Sequence, residues 1–88
     1  MPNVRFTENL NQHLDCPALS VKGNTLGEAM QAVFQANPTL KSYLMTDQQQ
    51  FRQHILVAID GEIVTGKSLD TPVTANTNIF IAQALSGG

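Results

Sequence analysis

The first candidate for chemistry in this sequence is an eight-residue phosphate-binding pattern. Residues 61–68, GEIVTGKS, match G-x-x-x-x-G-K-[ST] at every required position. Where this pattern binds nucleotides, backbone amides wrap a phosphate and the N-terminus of the next helix faces it. Residues 69–74 contain Pro72 and β-branched side chains, and they predict no helix after Ser68. We interpret the match as a coincidence and keep nucleotide binding through Lys67 as a competing hypothesis.

The remaining side chains offer little else that could catalyse a reaction. His13 and His54 lie far apart, with no cysteine or acidic residue at metal-ligand spacing. Cys16 is the only cysteine, which excludes an internal disulfide and a multi-cysteine metal site, and we predict that it packs in the interior. No serine lies in a nucleophile-elbow motif. We therefore predict that the chain is not an enzyme and holds no metal or cofactor.

The terminal carboxylate is the group that remains. Residues 79–82, IFIA, form an apolar run of β type, and the sequence ends on Gly87-Gly88. Because glycine has no Cβ, two glycines make a thin arm that tolerates almost any backbone angle and fits a narrow channel. The structural alternative is a frayed terminus, since chain ends are commonly disordered. The Gly-Gly pair supports a functional role only if the preceding residues form a small domain that holds the arm out.

Length and composition predict one small domain. A chain of 88 residues buries only about two-thirds of its unfolded surface, which leaves no room for a large substrate cavity. The five basic residues are scattered and the net charge is −2, so we expect no nucleic-acid partner. Residues 1–6 lack the apolar core of a signal peptide, and no apolar run is long enough to cross a bilayer. We expect a cytoplasmic protein.

The first half of the sequence predicts a hairpin followed by a helix. Residues 4–7 alternate apolar and polar side chains, and residues 18–21 suggest an antiparallel second strand. Residues 25–28, TLGE, match a capping box at the start of a helix. The buried face of that helix is predicted to comprise Leu26, Ala29, Met30, Val33 and Phe34. Asn37-Pro38 ends it.

The second half predicts mainly strands. We expect residues 39–45 to form one more short helical turn, with Leu40 and Leu44 facing inward, and residues 46–53 to form a polar surface loop. The apolar run at 54–59 is typical of a strand in the middle of a sheet. Asp60-Gly61 predicts a tight turn that leads into a short return strand at 62–64. Residues 65–77 are predicted to form an irregular connection. The last strand then precedes the Gly-Gly end.

These elements favour an α+β fold in which one main helix lies across one face of a mixed sheet of about five strands. The first and last strands can pair in parallel at the centre, because the intervening chain is long enough to cross over. This is the β-grasp, or ubiquitin-like, arrangement. We assign residues 1–84 to the β-grasp domain and residues 85–88 to a flexible arm.

The chain resembles the small sulfur-carrier proteins of the β-grasp fold, a family that includes the molybdopterin synthase small subunit and the sulfur carriers of thiamine and cysteine biosynthesis. The resemblance rests on NTLGE at 24–28, LMTD at 44–47, FRQHILVAIDGE at 51–62 and IFIAQALSGG at 79–88, and it is strongest for the cysteine-route carrier. Two positions depart from the family pattern. Thr77-Asn78 replaces Gly-Asp before the last strand, and Gln83 replaces a proline that stiffens the arm.

The resemblance implies a carrier function. An ATP-dependent activating enzyme would adenylate Gly88, and a sulfur donor would displace AMP to leave a C-terminal thiocarboxylate. A second enzyme, of the cysteine-synthase or molybdopterin-synthase large-subunit type, would then take the sulfur. Gly87 and Gly88 would thread into both active sites. The final acceptor stays open among cysteine, pterin and thiazole precursors, and we expect a monomer outside these complexes.

Recognition by such enzymes requires a surface near the arm. If Ile79 and Ile81 face the core, Phe80 and Ala82 face outward, because strand side chains alternate. Ile63 matches a position that faces the partner in the molybdopterin synthase small subunit. We therefore predict partner binding by Ile63, Phe80, Ala82 and Leu85. The alternative places Phe80 in the core and Ile79 outside.

A second hypothesis also uses the Gly-Gly end. In it the chain is a ubiquitin-like protein modifier that is joined through Gly88 to lysines of target proteins. Both hypotheses begin with adenylation of Gly88, and they differ in the atom that attacks next. Nucleotide binding through Lys67, the third hypothesis, requires no Gly88.

Overall fold

A computed structural model of the chain describes residues 1–6, 18–64 and 69–83. These ranges contain five strands and two helices. In chain order they are β1 (Asn3–Phe6), β2 (Leu19–Ser20), α1 (Leu26–Ala36), α2 (Pro38–Leu44), β3 (Ile55–Ile59), β4 (Glu62–Ile63) and β5 (Asn78–Gln83). The predictions made for His13, Cys16, Lys67 and the arm at 85–88 fall outside the described residues.

The five strands form one mixed sheet in the order β2-β1-β5-β3-β4. β1 and β5 are parallel, and the other neighbouring pairs are antiparallel. The predicted parallel pairing of the first and last strands at the centre is therefore confirmed, as is the antiparallel pairing of β1 with β2. β2 is shorter than predicted. Val21 keeps the antiparallel register and donates its backbone N–H to the carbonyl of Pro2 at 2.9 Å, but Pro2 has no N–H to return the bond.

Helix α1 begins at the predicted capping box. Thr25 Oγ1 accepts a hydrogen bond from the backbone N–H of Glu28 at 3.2 Å. The Glu28 carboxylate reaches back to the N–H of Asn24 at 2.9 Å, one residue before the helix cap. Four of the five predicted core positions of α1 are buried, and Phe34 is half-buried. The helix ends at Ala36, where the N–H of Asn37 still donates to Val33.

Helix α2 has seven residues, as many as the short helical segment predicted at 39–45, and it begins one residue earlier. Its first residue is Pro38, which suits the first helical position because that position needs no N–H donor and favours the fixed φ of proline. Leu40 and Leu44 are buried, as predicted. Two helices therefore cover the sheet in the described ranges, although α1 remains the main one.

The core lies between the helices and the inner face of the sheet. Its strand residues are Val4, Phe6, Ile55, Val57, Ile79 and Ile81, which pack with the buried faces of both helices. The prediction that residues 46–53 form only a surface loop is wrong at Phe51, which is 7 % exposed. Phe51 forms an isolated β-bridge with Met45 that turns its side chain into the core. Neither described helix has the length and apolar character needed to cross a membrane.

Candidate functional site

The outer face of the sheet, opposite the helices, carries the candidate site. In β5, Ile79 and Ile81 are 1 % and 0 % exposed, whereas Phe80 between them is 42 % exposed. The predicted orientation of the last strand is confirmed, and the alternative that places Phe80 in the core is wrong. The cause is the two-residue period of a strand whose other face is covered by helices.

Strand pairing brings apolar side chains together on this face. Phe80 pairs with Ala58 of β3, and Ala58 pairs in turn with Ile63 of β4, which is 63 % exposed. Two residues further along β5, half-buried Ala82 pairs with Leu56, which is 40 % exposed. We call the set Leu56, Ala58, Ile63, Phe80 and Ala82 the outer-face patch. The structure thus brings together Ile63, Phe80 and Ala82, three of the residues predicted to bind a partner.

Polar groups border the outer-face patch. On the β1 side, Arg5 pairs with Phe80, and the Ser20 hydroxyl donates to Asn3 Oδ1 at 2.7 Å. At the start of β5, the Asn78 N–H donates to Asp60 Oδ1 at 2.9 Å. An exposed apolar surface with a polar border is typical of a protein-binding site.

The tight turn at Asp60-Gly61 positions Ile63. Asp60 and Gly61 have φ angles of 51° and 88°, both in the left-handed region that a two-residue hairpin turn requires. The predicted turn is therefore confirmed. In residues 61–64, the described half of the phosphate-binding pattern, the backbone forms a hairpin turn and a strand rather than an anion-binding loop.

The described residues after this pattern provide no helix N-terminus either. Leu69 and Asp70 form a turn, and the structure assigns no helix between residues 69 and 83. Two N–H groups in the first turn of α1 donate to this segment. The N–H of Leu26 donates to the carbonyl of Thr71 and that of Gly27 to the carbonyl of Leu69, both at 2.8 Å. Within the described ranges, no cluster of three His, Cys, Asp or Glu side chains could hold a metal ion.

β5 leads from the outer-face patch to the Gly-Gly end of the sequence. Its last residue, Gln83, pairs with Ile55 of β3. The Tyr43 hydroxyl, on α2, donates to Gln83 Oε1 at 3.2 Å. Leu85, Gly87 and Gly88 lie outside the described residues, so their predicted roles stay predictions.

Two features of this region were not predicted. The outward position of Leu56 is hidden in the continuous apolar run at 54–59, and it follows from alternation once Ile55 and Val57 are known to be buried. The Tyr43–Gln83 contact joins residues from two separate elements, and no local pattern indicates it.

Solved structures with the same architecture span the whole chain. A chain in the crystal structure of the Amycolatopsis orientalis BexX/CysO complex superimposes with a TM-score of 0.84 at 22% identity, covering 100% of both chains. SAMP1 of Haloferax volcanii, a small archaeal modifier protein, gives 0.77 at 24% identity over 99% of this chain and 98% of its own. Mycobacterium tuberculosis CysO superimposes with a TM-score of 0.80 at 19% identity, covering 97% of this chain and 100% of its own. The chain has the β-grasp fold.

The β-grasp architecture accounts for the central parallel strands and for the helices on one face. At these identities the likeness is one of fold, carried by tertiary structure rather than by sequence. No protein-family model matches the chain. No curated protein sequence matches it either.

Proposed function

We propose that this β-grasp protein is a small sulfur carrier whose C-terminal glycine, Gly88, is adenylated and then converted to a thiocarboxylate. One observation carries the proposal: the central strand of the sheet runs past an exposed apolar patch toward Gly87-Gly88. The fold shared with CysO and SAMP1 supports it.

The chemistry requires two steps at the Gly88 carboxylate. A carboxylate oxygen attacks the α-phosphorus of ATP, and pyrophosphate leaves. Hydrosulfide then attacks the carbonyl carbon of the acyl-adenylate, and AMP leaves with the electron pair of the broken C–O bond. The product is a thiocarboxylate, a nucleophile that a second enzyme can use. The carrier contributes its end group and a binding surface, and the enzymes contribute the catalytic groups.

The outer-face patch would bind those enzymes. Ile63 and Phe80 expose large apolar surfaces that a partner can bury, and Ala82 lies closer to the arm along the same strand. Leu85 would extend this surface. The BexX/CysO complex contains a chain of this fold bound to a partner, and we propose an adenylating enzyme and a sulfur-accepting enzyme as partners of this chain.

Intact-mass spectrometry tests the proposal. The protein is incubated with an adenylating enzyme from the same genome, ATP and sodium sulfide. We expect a mass increase equal to one oxygen replaced by one sulfur, which is absent without ATP and absent when Gly88 is deleted. An unchanged mass alongside ATP turnover would contradict the carrier function. The mass of the protein isolated from its own cells shows whether its natural chain ends at Gly88.

Protein modification is the second candidate, and the name of SAMP1, a modifier protein, favours it. In that case a target lysine amine attacks the activated Gly88 carbonyl and forms an isopeptide bond. High-mass conjugates in a lysate supplied with ATP, with Gly88 linked to lysine in their tryptic peptides, would identify this function. Sulfur incorporation without conjugates would exclude it.

Alanine substitution tests the role of the outer-face patch. Phe80→Ala and Ile63→Ala should each raise the KM of adenylation by roughly tenfold, because each truncation removes about 1 to 2 kcal/mol of interface burial. Gln31→Ala, on the exposed side of α1, serves as the control and should leave KM unchanged. Equal KM values for all three variants and the wild type would place the enzyme-binding surface elsewhere.

A further inference from the structure

The hydrogen bond between Tyr43 and Gln83 lies where the sheet ends and the Gly-Gly segment begins. Gln83 continues the inward row of β5 after Ile79 and Ile81, so its amide reaches the helix side at the edge of the core. There the Tyr43 hydroxyl donates to Gln83 Oε1 at 3.2 Å in a partly buried setting. A hydrogen bond sheltered from water is worth more than the same contact on the surface.

Tyr43 is held firmly on its own side of this bond. Its side chain is partly buried and packs against the core cluster, to which Leu40 and Leu44 of α2 also belong. The Arg52 guanidinium donates to the carbonyl of Ser42 through Nε at 3.2 Å and Nη2 at 3.0 Å. The backbone N–H of Arg52 also donates to Leu44 O at 2.9 Å. These bonds fix the last turn of α2, and with it the position of the hydroxyl.

Further contacts connect Arg52 to β5, so that α2, Arg52, β3 and Gln83 form a closed chain of contacts. The Ile55 N–H donates to the carbonyl of Arg52 at 3.0 Å, and Ile55 pairs with Gln83 in the sheet. Gln83 is therefore held from the β3 side by strand pairing and from the α2 side by Tyr43. A residue anchored on two sides gives the next residues a defined starting direction.

We infer that the Tyr43–Gln83 hydrogen bond sets the direction in which the residues after Gln83 leave the sheet. Tyr43 is then a positioning residue for the delivery of Gly88 to the enzyme that activates it, an inference that rests on the proposed function. Preorganising the exit lowers the entropy that the arm loses when it enters an active site.

Four variants of the full chain test this inference. Tyr43→Phe removes the hydroxyl and Gln83→Leu removes the acceptor, each with little change in shape. The double variant tests whether the two effects operate through one contact, in which case they do not add. Gln83→Glu keeps an acceptor for the tyrosine hydroxyl and should retain the behaviour of the wild type. Ser42→Ala is the control, since its hydroxyl donates to Thr39 O on the exposed side of α2.

The first readout is the orientation of the arm, measured by residual dipolar couplings and heteronuclear NOEs of the amides at 84–87. A net hydrogen bond of about 1 kcal/mol shifts a population roughly fivefold, so Tyr43→Phe and Gln83→Leu should reduce these couplings by about half or more. The double variant should match the single ones. Unchanged couplings in Tyr43→Phe would overturn the inference.

The second readout is the kinetics of pyrophosphate release with an adenylating enzyme that accepts the wild-type chain. Loss of the bond should raise KM about threefold to fivefold and leave kcat unchanged, because only delivery of the arm is affected. A change in the couplings without a change in KM would overturn the role in delivery. If no such enzyme adenylates the wild type, the proposed function fails, and the couplings still decide whether the bond orients the arm.

Discussion

At the scale of single residues, two of the carboxylates have structural roles. Glu28 caps a helix through the N–H of Asn24, and Asp60 accepts a hydrogen bond from the N–H of Asn78. Gly61, the first residue of the phosphate-binding pattern, occupies a hairpin turn at φ 88°. Residue spacing alone does not determine backbone conformation, which is why the pattern arises without the loop that binds phosphate.

Two glycines should respond differently to alanine substitution. A Cβ at Gly23 would lie 2.7 Å from the backbone N of Ala29 in α1, and that atom moves only if the helix moves. Gly23→Ala should therefore cost about 2 to 3 kcal/mol, the upper part of the range for overpacked sites. A Cβ at Gly61 meets nothing within 4 Å, so Gly61→Ala pays only the left-handed backbone cost of about 1 kcal/mol.

Urea denaturation of the two variants and the wild type measures these costs. Equal destabilisation by both would show that the backbone angles, rather than the contact with α1, determine the effect at Gly23.

At the scale of elements, β5 has two roles because one of its faces is buried and the other is exposed. Its inner residues fill the core beneath the helices, and its outer residues contribute to an exposed apolar surface. β3 is similar: Ile55 and Val57 are buried, whereas Leu56 is 40 % exposed. The apolar run at 54–59 therefore reflects a core on one side and the outer-face patch on the other, rather than burial on both sides.

Neighbouring residues of β5 should show this difference in stability. Ile81→Ala leaves a cavity in the core and should lower the free energy of unfolding by about 3 kcal/mol. Phe80→Ala truncates a partly exposed side chain and should cost about 1 kcal/mol or less. Chemical denaturation gives both values. A loss at Phe80 equal to that at Ile81 would mean that the outer face is itself a packed layer.

At the scale of the whole molecule, β5 holds the sheet together. It lies between β1 and β3, so its amides are flanked by strands on both sides, whereas β2 and β4 lie at the two edges. Amides of β5 should therefore exchange with solvent most slowly, by at least about tenfold relative to Ser20 and Ile63 at the edges. Hydrogen exchange followed by NMR measures this ratio. Equal rates across the sheet would indicate that exchange occurs only through global unfolding.

The stability of this centre matters for the proposed function. A carrier must enter and leave two enzymes with its fold intact while the end of its chain reaches the chemistry. β5, the strand that precedes the Gly-Gly segment in the sequence, is paired with β1 as far as Ile81 and with β3 as far as Gln83.

Local chemistry was sufficient to predict much of the fold from the sequence. The capping box, the helical periodicity, the Asp60-Gly61 turn and the alternation of β5 all act between residues near one another in the chain. These signals also predicted the parallel central strands, because one helix and about five strands leave few ways to bury their apolar faces. The position of Phe80 on the exposed face followed from the same alternation, whereas that of Ile63 was expected from the resemblance to the sulfur carriers.

Only the tertiary structure decided how distant residues meet. The burial of Phe51 accompanies its bridge to Met45, a residue six positions earlier in the chain. Leu56 joined the outer-face patch once the register placed it beside Ala82. The bond from Tyr43 to Gln83 spans forty positions. Such contacts form because folding brings separate elements together, and no short-range pattern encodes the geometry of their meeting.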